Sequence, residues 1–417
     1  MRNDIDNLME QMDLAALLVT GPAQHNPAMV YLTGGGHITQ ADLIIPRGQP
    51  AVLFHGPMER DEAARAAAQN GLIPRGYSDY PLNLLLKQAR GSRSKALALR
   101  YQRILADVGI NQGRVMLYGR EDAGAAFSVY SALQALMPGL AILSDEGDGL
   151  LAQAMATKSP DEIDRIRRMG RMTAAVVAET ADFLSGHSSK DGILQQADGQ
   201  PLRIGDVKRR INRRLAESGA ENPEGIIFAI GRDAGVPHSS GNPQDLLRLG
   251  QTIVFDFFPC EAEGGYYYDF TRTWCLGHAP DEALALHENV LAVHRTIFAE
   301  LEVGAYFPKY QERACDIFEA QGHPTIRSHP DTTQGYVHSL GHGIGLKVHE
   351  KPWSGSNAAP DDILSPGSVF TIEPGLYYPD RGLGMRLEDS AWVTPEGKFE
   401  ILATYPLDLI IPITRQA

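Results

Sequence analysis

The chain has 417 residues, 43% of them hydrophobic, with 51 acidic against 38 basic side chains and a net charge of -13 at pH 7. That length sets two domains as the expectation, and the acidic balance argues against nucleic acid or an anionic membrane surface as the main partner. Three cysteines, Cys260, Cys275 and Cys315, are too few and too scattered for a disulfide framework or a thiolate zinc site, and read as small buried hydrophobes.

The opening MRNDIDNLMEQMDLAALLV carries scattered charges and does not read as a signal peptide. No stretch approaches the roughly 18 uninterrupted apolar residues of a membrane span, so a cytoplasmic protein is expected. Residues 1–155 alternate short apolar runs (AALLVTG, MVYLTGG, ADLIIP, AVLFHG) with helical stretches, an α/β pattern without a catalytic cluster. The clearest internal boundary is ATKSPDEIDRIRRMG: Ser159 as N-cap, Pro160 at the first helical position and Glu162 three residues after the cap predict a capping box heading a long helix, and a second domain over 156–417. An amphipathic helix around RIGDVKRRINRRLAESG carries a basic run that reads as a solvated face. Further helices are expected at about 281–303 and 310–321, with β-rich segments between and after them.

Those β-rich segments hold the candidate chemistry. In TIVFDFFPCEAEGGYYYDFTRTW two aromatic β runs flank a turn-prone EAEGG, and a turn centred between Ala262 and Glu263 would set Asp256 opposite Asp269. In SVFTIEPGLYYPDRGLGMRLEDSAWVT a PDRG turn centred between Asp380 and Arg381 sets Glu373 opposite Glu388. Directly opposed side chains have Cβ atoms about 4.5–5.5 Å apart, where like charges repel unless a cation lies between them. Glu261 and Glu263 suit an exposed turn, but Asp256 falls inside the apolar run IVFDFF, where an unpaired carboxylate is costly. Paired hard oxygen ligands with one or two imidazoles suit Mn²⁺, Co²⁺, Fe²⁺ or Zn²⁺, and bridging carboxylates suit two such ions about 3.5–4 Å apart.

The segment HSLGHGIGLKVHEKP, residues 338–352, concentrates three of the chain's 13 histidines among three glycines. Glycines at 341, 343 and 345 argue against a helix, and HEKPW lacks the second histidine of a zincin motif. An extended track that lets backbone and ligand approach closely is the better reading.

Asp256, Asp269, His342, Glu373 and Glu388, in that order, resemble the five metal ligands of the pita-bread metallopeptidases, the family of methionine aminopeptidase, aminopeptidase P and prolidase. The matching motifs are DFTRT, HSLGHGIGLKVHEKP, TIEPGLY and RLEDS. The resemblance implies an α+β architecture: an N-terminal creatinase-like α/β domain, to which LLVTGPAQHNPAMVYLTGG is similar, followed by a pita-bread catalytic domain of pseudo-twofold repeated hairpins. Methionine aminopeptidases generally lack such an N-terminal domain and creatinase lacks the metal set, so the likeness points to the Xaa-Pro peptidases. Asp256 and Asp269 stand two residues further apart than the commoner family spacing; an even insertion keeps both on one face.

The resemblance further implies two divalent ions, Mn²⁺ first, with Co²⁺, Zn²⁺ or Fe²⁺ as alternatives, bridged by Asp269 and Glu388, with Asp256 on one and His342 and Glu373 on the other. Glu373 would act as base, and His238 or His349 would donate to the oxyanion. His338 would line the proline pocket or position the leaving nitrogen, and Arg386 would orient its strand or meet a substrate carboxylate. The expected activity is hydrolysis of the bond between an N-terminal residue and proline by a homodimer, with a dipeptide substrate favoured over the longer peptides of an aminopeptidase P. A metal-free binding module and a hydrolase of non-peptide C–N bonds are the competing readings.

Overall fold

The computed structural model describes residues 4–145, 147, 149–413 and 415–416. Two compact units emerge, Met1–Met155 with Glu263–Gly265, and Ala156–Ala262 with Tyr266–Ala417. Among the described residues no helix is long and apolar enough to cross a membrane.

The first unit is built on six strands: β1 (Ala16–Gly21), β2 (Ala41–Pro46), β3 (Val52–His55), β4 (Ile73–Gly76), β5 (Gly113–Gly119) and β6 (Leu140–Ser144), in the order β4-β3-β2-β1-β5-β6. Strand β1 runs antiparallel to β2 and parallel to β5. Every residue of β1 and β2 is buried, which is why both read as mainly apolar runs, with Thr20 and Asp42 as buried polar exceptions, and not as alternations. Helices Arg93–Asp107 and Ala123–Leu136 supply Tyr101, Ile104, Val129 and Leu133 to a core with Leu18, Ile44 and Phe54.

The second unit opens with the expected capping box. Ser159 caps a helix over Pro160–Ser185, and its amide donates to Glu162 Oε2 at 2.7 Å. On the helix Ile204–Glu217 the basic run is a solvated face, where Arg209 pairs with Asp206 and Arg214 with Glu179. Helix Asp281–Glu300 stops at Leu301, whose backbone is extended, and the next helix starts at Pro308, whose ring presets the first helical φ. Leu286, Val290, Val293 and Ile297 from the former and Tyr310, Ala314 and Phe318 from the latter pack with Phe370, Ile372, Leu376, Met385 and Ala391. The three cysteines are free and buried.

Two β systems carry the candidate site. One is a four-stranded sheet ordered Ile226–Ile230, Thr252–Phe257, Phe270–Leu276, Ile410–Ile411. The other is a five-stranded sheet ordered Glu350–Trp353, His342–Gly343, Val369–Ile372, Asp389–Val393, Phe399–Ile401, beside a two-stranded hairpin of Gly375–Tyr378 and Leu383–Arg386.

In the first hairpin the register departs from expectation. Asp256 faces Thr271, not Asp269, and Phe257 faces Phe270 as the last pair of the ladder. The chain leaves the ladder because the connection is no tight turn. Cys260 and Glu261 pair instead with Ala220–Glu221, the Tyr268 amide donates to Pro259 O at 3.0 Å and the Tyr267 amide to Gly345 O at 2.7 Å. A shift of two leaves Asp269 on the same face as Asp256, diagonally placed.

In the second hairpin the expected register holds on both sides of the glutamates, with Ile372 opposite Asp389 and Gly375 opposite Arg386. Glu373 and Glu388 fall opposite each other at the gap before Pro374. Their amides leave the ladder, the Glu373 N–H donating to Leu340 O at 2.8 Å and the Glu388 N–H to Thr271 O at 3.0 Å. Those two bonds tie together the segments that carry His342, Asp269, Glu373 and Glu388.

Candidate metal centre

A cavity of about 530 Å³ in the second unit is lined by Asp256, Asp269, His342, Glu373, Glu388, His238, His338, His349 and Arg386, so all nine residues singled out in the sequence meet at one place. The other nine histidines do not line it.

At its floor Asp269, His342 and Glu388, all buried, each offer a ligand atom within 4.8 Å of the others. His342 Nδ1 lies 3.0 Å from Gly343 O, which places the ring proton there and turns Nε2 toward the carboxylates, 3.3 Å from Glu373 Oε1 and 3.7 Å from Asp269 Oδ2. Glu373 and Asp256 flank the trio. One oxygen of Glu373 is engaged by His342, while Asp256 Oδ2 accepts from Arg386.

The electrostatics are those of acids crowded out of water. Burial, and then the neighbouring Asp256, push Asp269 well above the usual carboxylate range; burial and Asp269 do the same to Glu388. Burial also raises Asp256, against the pull of Arg386. Burial opposes charge on His342 and Glu373 as well, but there the imidazole–carboxylate contact wins, lifting His342 to about 9 and holding Glu373 at about 2. Asp256 Oδ1 and Glu388 Oε1 are buried without a hydrogen-bond partner. Convergent acids that raise one another, with uncommitted buried lone pairs and one imidazole nitrogen aimed among them, fit divalent cations by charge and by donor type.

The track of glycines now has its reason. A Cβ on Gly341 would lie 2.0 Å from Thr371 O, one on Gly343 1.9 Å from Lys351 O, and one on Gly345 2.4 Å from Glu350 Oε2. Side chains there would wedge apart the strands that present His342. The track is also pinned from behind by a buried ion pair, Lys158 Nζ to Glu350 Oε2 at 2.9 Å. His349 packs edge-on against His342 with ring centroids 4.4 Å apart; burial and then the charge on His342 lower it to about 4, so it is neutral near pH 7.

Arg386 is 2% exposed, and its guanidinium donates to Asp256, to Tyr377 Oη at 2.8 Å and to Pro237 O at 3.4–3.5 Å. These bonds engage its charge with Asp256. His338 is likewise committed, Nδ1 lying 2.8 Å from Ser339 O and Nε2 2.9 Å from Tyr377 Oη; burial lowers it to about 4.

Sequence reasoning missed Tyr377 and Thr271. The Tyr377 hydroxyl accepts from Arg386 and donates to His338, in a space left by Gly375, where a Cβ would come within 2.5 Å of it. Thr271 Oγ1 donates to Glu388 Oε2 at 2.7 Å and accepts from Arg386 Nε at 3.4 Å. The signal for Thr271 was its place two residues after Asp269, on the same strand face.

Residues 164–395 match the model of metallopeptidase family M24. Over 276 residues, 66% of each chain, the sequence is 27% identical to a protein named probable dipeptidase PepE from Mycobacterium tuberculosis. Over 248 residues it is 28% identical to the Xaa-Pro dipeptidase of Pyrococcus furiosus, a match covering 59% of this chain and 66% of that one. These alignments thus span about two thirds of the relatives' lengths. The solved structure of an Xaa-Pro dipeptidase from Bacillus anthracis superposes with a TM-score of 0.73 at 21% identity, covering 97% of both chains, a likeness of fold. The chain belongs to metallopeptidase family M24 and has its pita-bread fold behind an N-terminal α/β domain.

Proposed function

We propose that the protein is a metal-dependent Xaa-Pro peptidase and that dipeptides are its main substrates, as in a prolidase. The names of its relatives support the substrate class. The observation that carries the reading is the meeting of three buried acids, Asp256, Asp269 and Glu388, with His342 and the half-buried Glu373 in one cavity lined also by His238 and His349.

In this reading Asp256, Asp269, His342, Glu373 and Glu388 would hold two divalent ions, Mn²⁺ in preference to Co²⁺, Zn²⁺ or Fe²⁺. Bound ions supply Lewis-acid polarisation of the scissile carbonyl and a water acidic enough to ionise near neutral pH. Glu373 accepts the proton of the attacking water and hands it to the leaving imino nitrogen. His349, neutral, and His238 offer N–H donors to the oxygen on which charge develops. Phe258, Val348 and Trp353 give the cavity apolar walls suited to a proline ring, which has no N–H to satisfy. A homodimer and a cytoplasmic site of action belong to the same proposal.

The test is hydrolysis of Ala-Pro and Ala-Pro-Ala by metal-stripped protein with and without Mn²⁺, beside an Asp269→Ala control. The expected result is Mn²⁺-dependent cleavage of the dipeptide that the control lacks. Cleavage of the tripeptide at its first bond would move the assignment to an aminopeptidase P.

A further inference from the structure

Glu224 lies on the loop before the strand Ile226–Ile230, is exposed, and lines the cavity beside Gly225, Ile226 and Ile227. It makes no side-chain hydrogen bond or ion pair among the described residues. Among those that line the cavity, Arg386 is the one arginine or lysine, and its charge is committed to Asp256. An uncommitted carboxylate therefore stands at the edge of a cavity whose floor is already filled by acids.

Resting on the Xaa-Pro reading above, we infer that Glu224 selects substrates with a cationic side chain, lysine or arginine, on the residue before proline. Reach decides which cation it meets. The substrate's α-ammonium is one carbon away from the attacked carbonyl and must sit on the floor with Asp269 and Glu388. A lysine ammonium stands four methylenes further out, on a stem that can lie along apolar wall while its head stays in water. Ile226 and Ile227, both buried and both lining the cavity next to Glu224, provide that wall. Because Glu224 is exposed, the selection is modest and screened by salt.

The experiment compares kcat/KM for Lys-Pro with norleucine-Pro, its uncharged near-isostere, and for Glu-Pro with Gln-Pro, on Mn²⁺-loaded full-length protein, Glu224→Gln and Glu224→Lys. Each ratio is internal to one protein sample, so partial misfolding of a variant cancels. The wild type is expected to favour Lys-Pro by about two- to fivefold at low salt. Glu224→Gln should bring that ratio near one, and Glu224→Lys should turn the preference toward Glu-Pro. A wild-type ratio near one, or one that survives in Glu224→Gln, would overturn the inference while leaving the Xaa-Pro reading intact. Wild type that binds Mn²⁺ and cuts none of the four dipeptides would remove the Xaa-Pro reading and this inference with it.

Discussion

Thr271 shows how much a single hydroxyl carries in this site. It is the direct partner of Glu388 Oε2 at 2.7 Å, and without it that buried oxygen would lose its donor while Oε1 already has none. Thr271→Val, nearly isosteric, should weaken Mn²⁺ binding about 10- to 100-fold in a calorimetric titration, as loss of a ligand's supporting hydrogen bond does; unchanged affinity would mean that Glu388 is positioned by its backbone alone. A second residue, in the first unit, sets a pH dependence. Asp42 is buried in the first unit, where it accepts from Tyr77 at 2.6 Å and Tyr101 at 2.8 Å, and burial outweighs both bonds to raise its pKa to about 6. The folded state therefore takes up this proton before the unfolded state does. Its destabilising effect is full above about pH 6, fades as pH falls, and is gone below the ordinary value of 3.8. The difference is about 3 kcal/mol. Asp42→Asn should flatten the rise in melting temperature between pH 7 and 5 relative to wild type; parallel curves would refute it.

At the level of elements, the site depends on contacts that local sequence does not announce. Lys158 precedes the long helix and meets Glu350 behind the histidine track, both nearly fully buried. Lys158→Met should leave Glu350 buried without its cation and cost about 3–5 kcal/mol in denaturant melts, far more than an exposed pair would. In the helix Pro160–Ser185, Gly170→Ala would ordinarily stabilise by about 0.5–1 kcal/mol. Here a Cβ at 170 would lie 2.6 Å from the Tyr268 ring, and overpacking of about 1–3 kcal/mol reverses the sign. A higher melting temperature for that variant would show that the ring yields. The two hairpins show what was legible and what was not. PDRG makes a short turn whose centre fixes the register from Tyr378 opposite Leu383 outward, so the opposition of Glu373 and Glu388 could be read directly. The first hairpin has Pro259 and a detour to Ala220–Glu221 in its connection, so a turn centre guessed from EAEGG slipped by two and only the face survived. Helices were legible from capping and proline signals; the Arg386–Asp256 pair, 130 positions apart, has no local signature.

Across the whole molecule the motifs that line the cavity were legible because their spacing and flanks are specific. The hydrogen bonds that lock them were not, since each joins strands distant in the chain. Asp256, Asp269 and Glu388 lie buried beside His342 in the interior of the second unit, an arrangement that raises the three carboxylates' proton affinities and weakens the fold when no cation offsets it. Chelation should therefore lower the melting temperature, and Mn²⁺ at about 100 times its dissociation constant should restore about 2.7 kcal/mol. Asp269→Ala should blunt that response. The most direct test of the account is stepwise addition of Mn²⁺ to metal-stripped protein, with bound metal and Ala-Pro hydrolysis measured at each step. The account predicts no hydrolysis without metal and full activity as two ions per chain are bound. Two ions bound with Ala-Pro left intact, or hydrolysis that needs no metal, would contradict it.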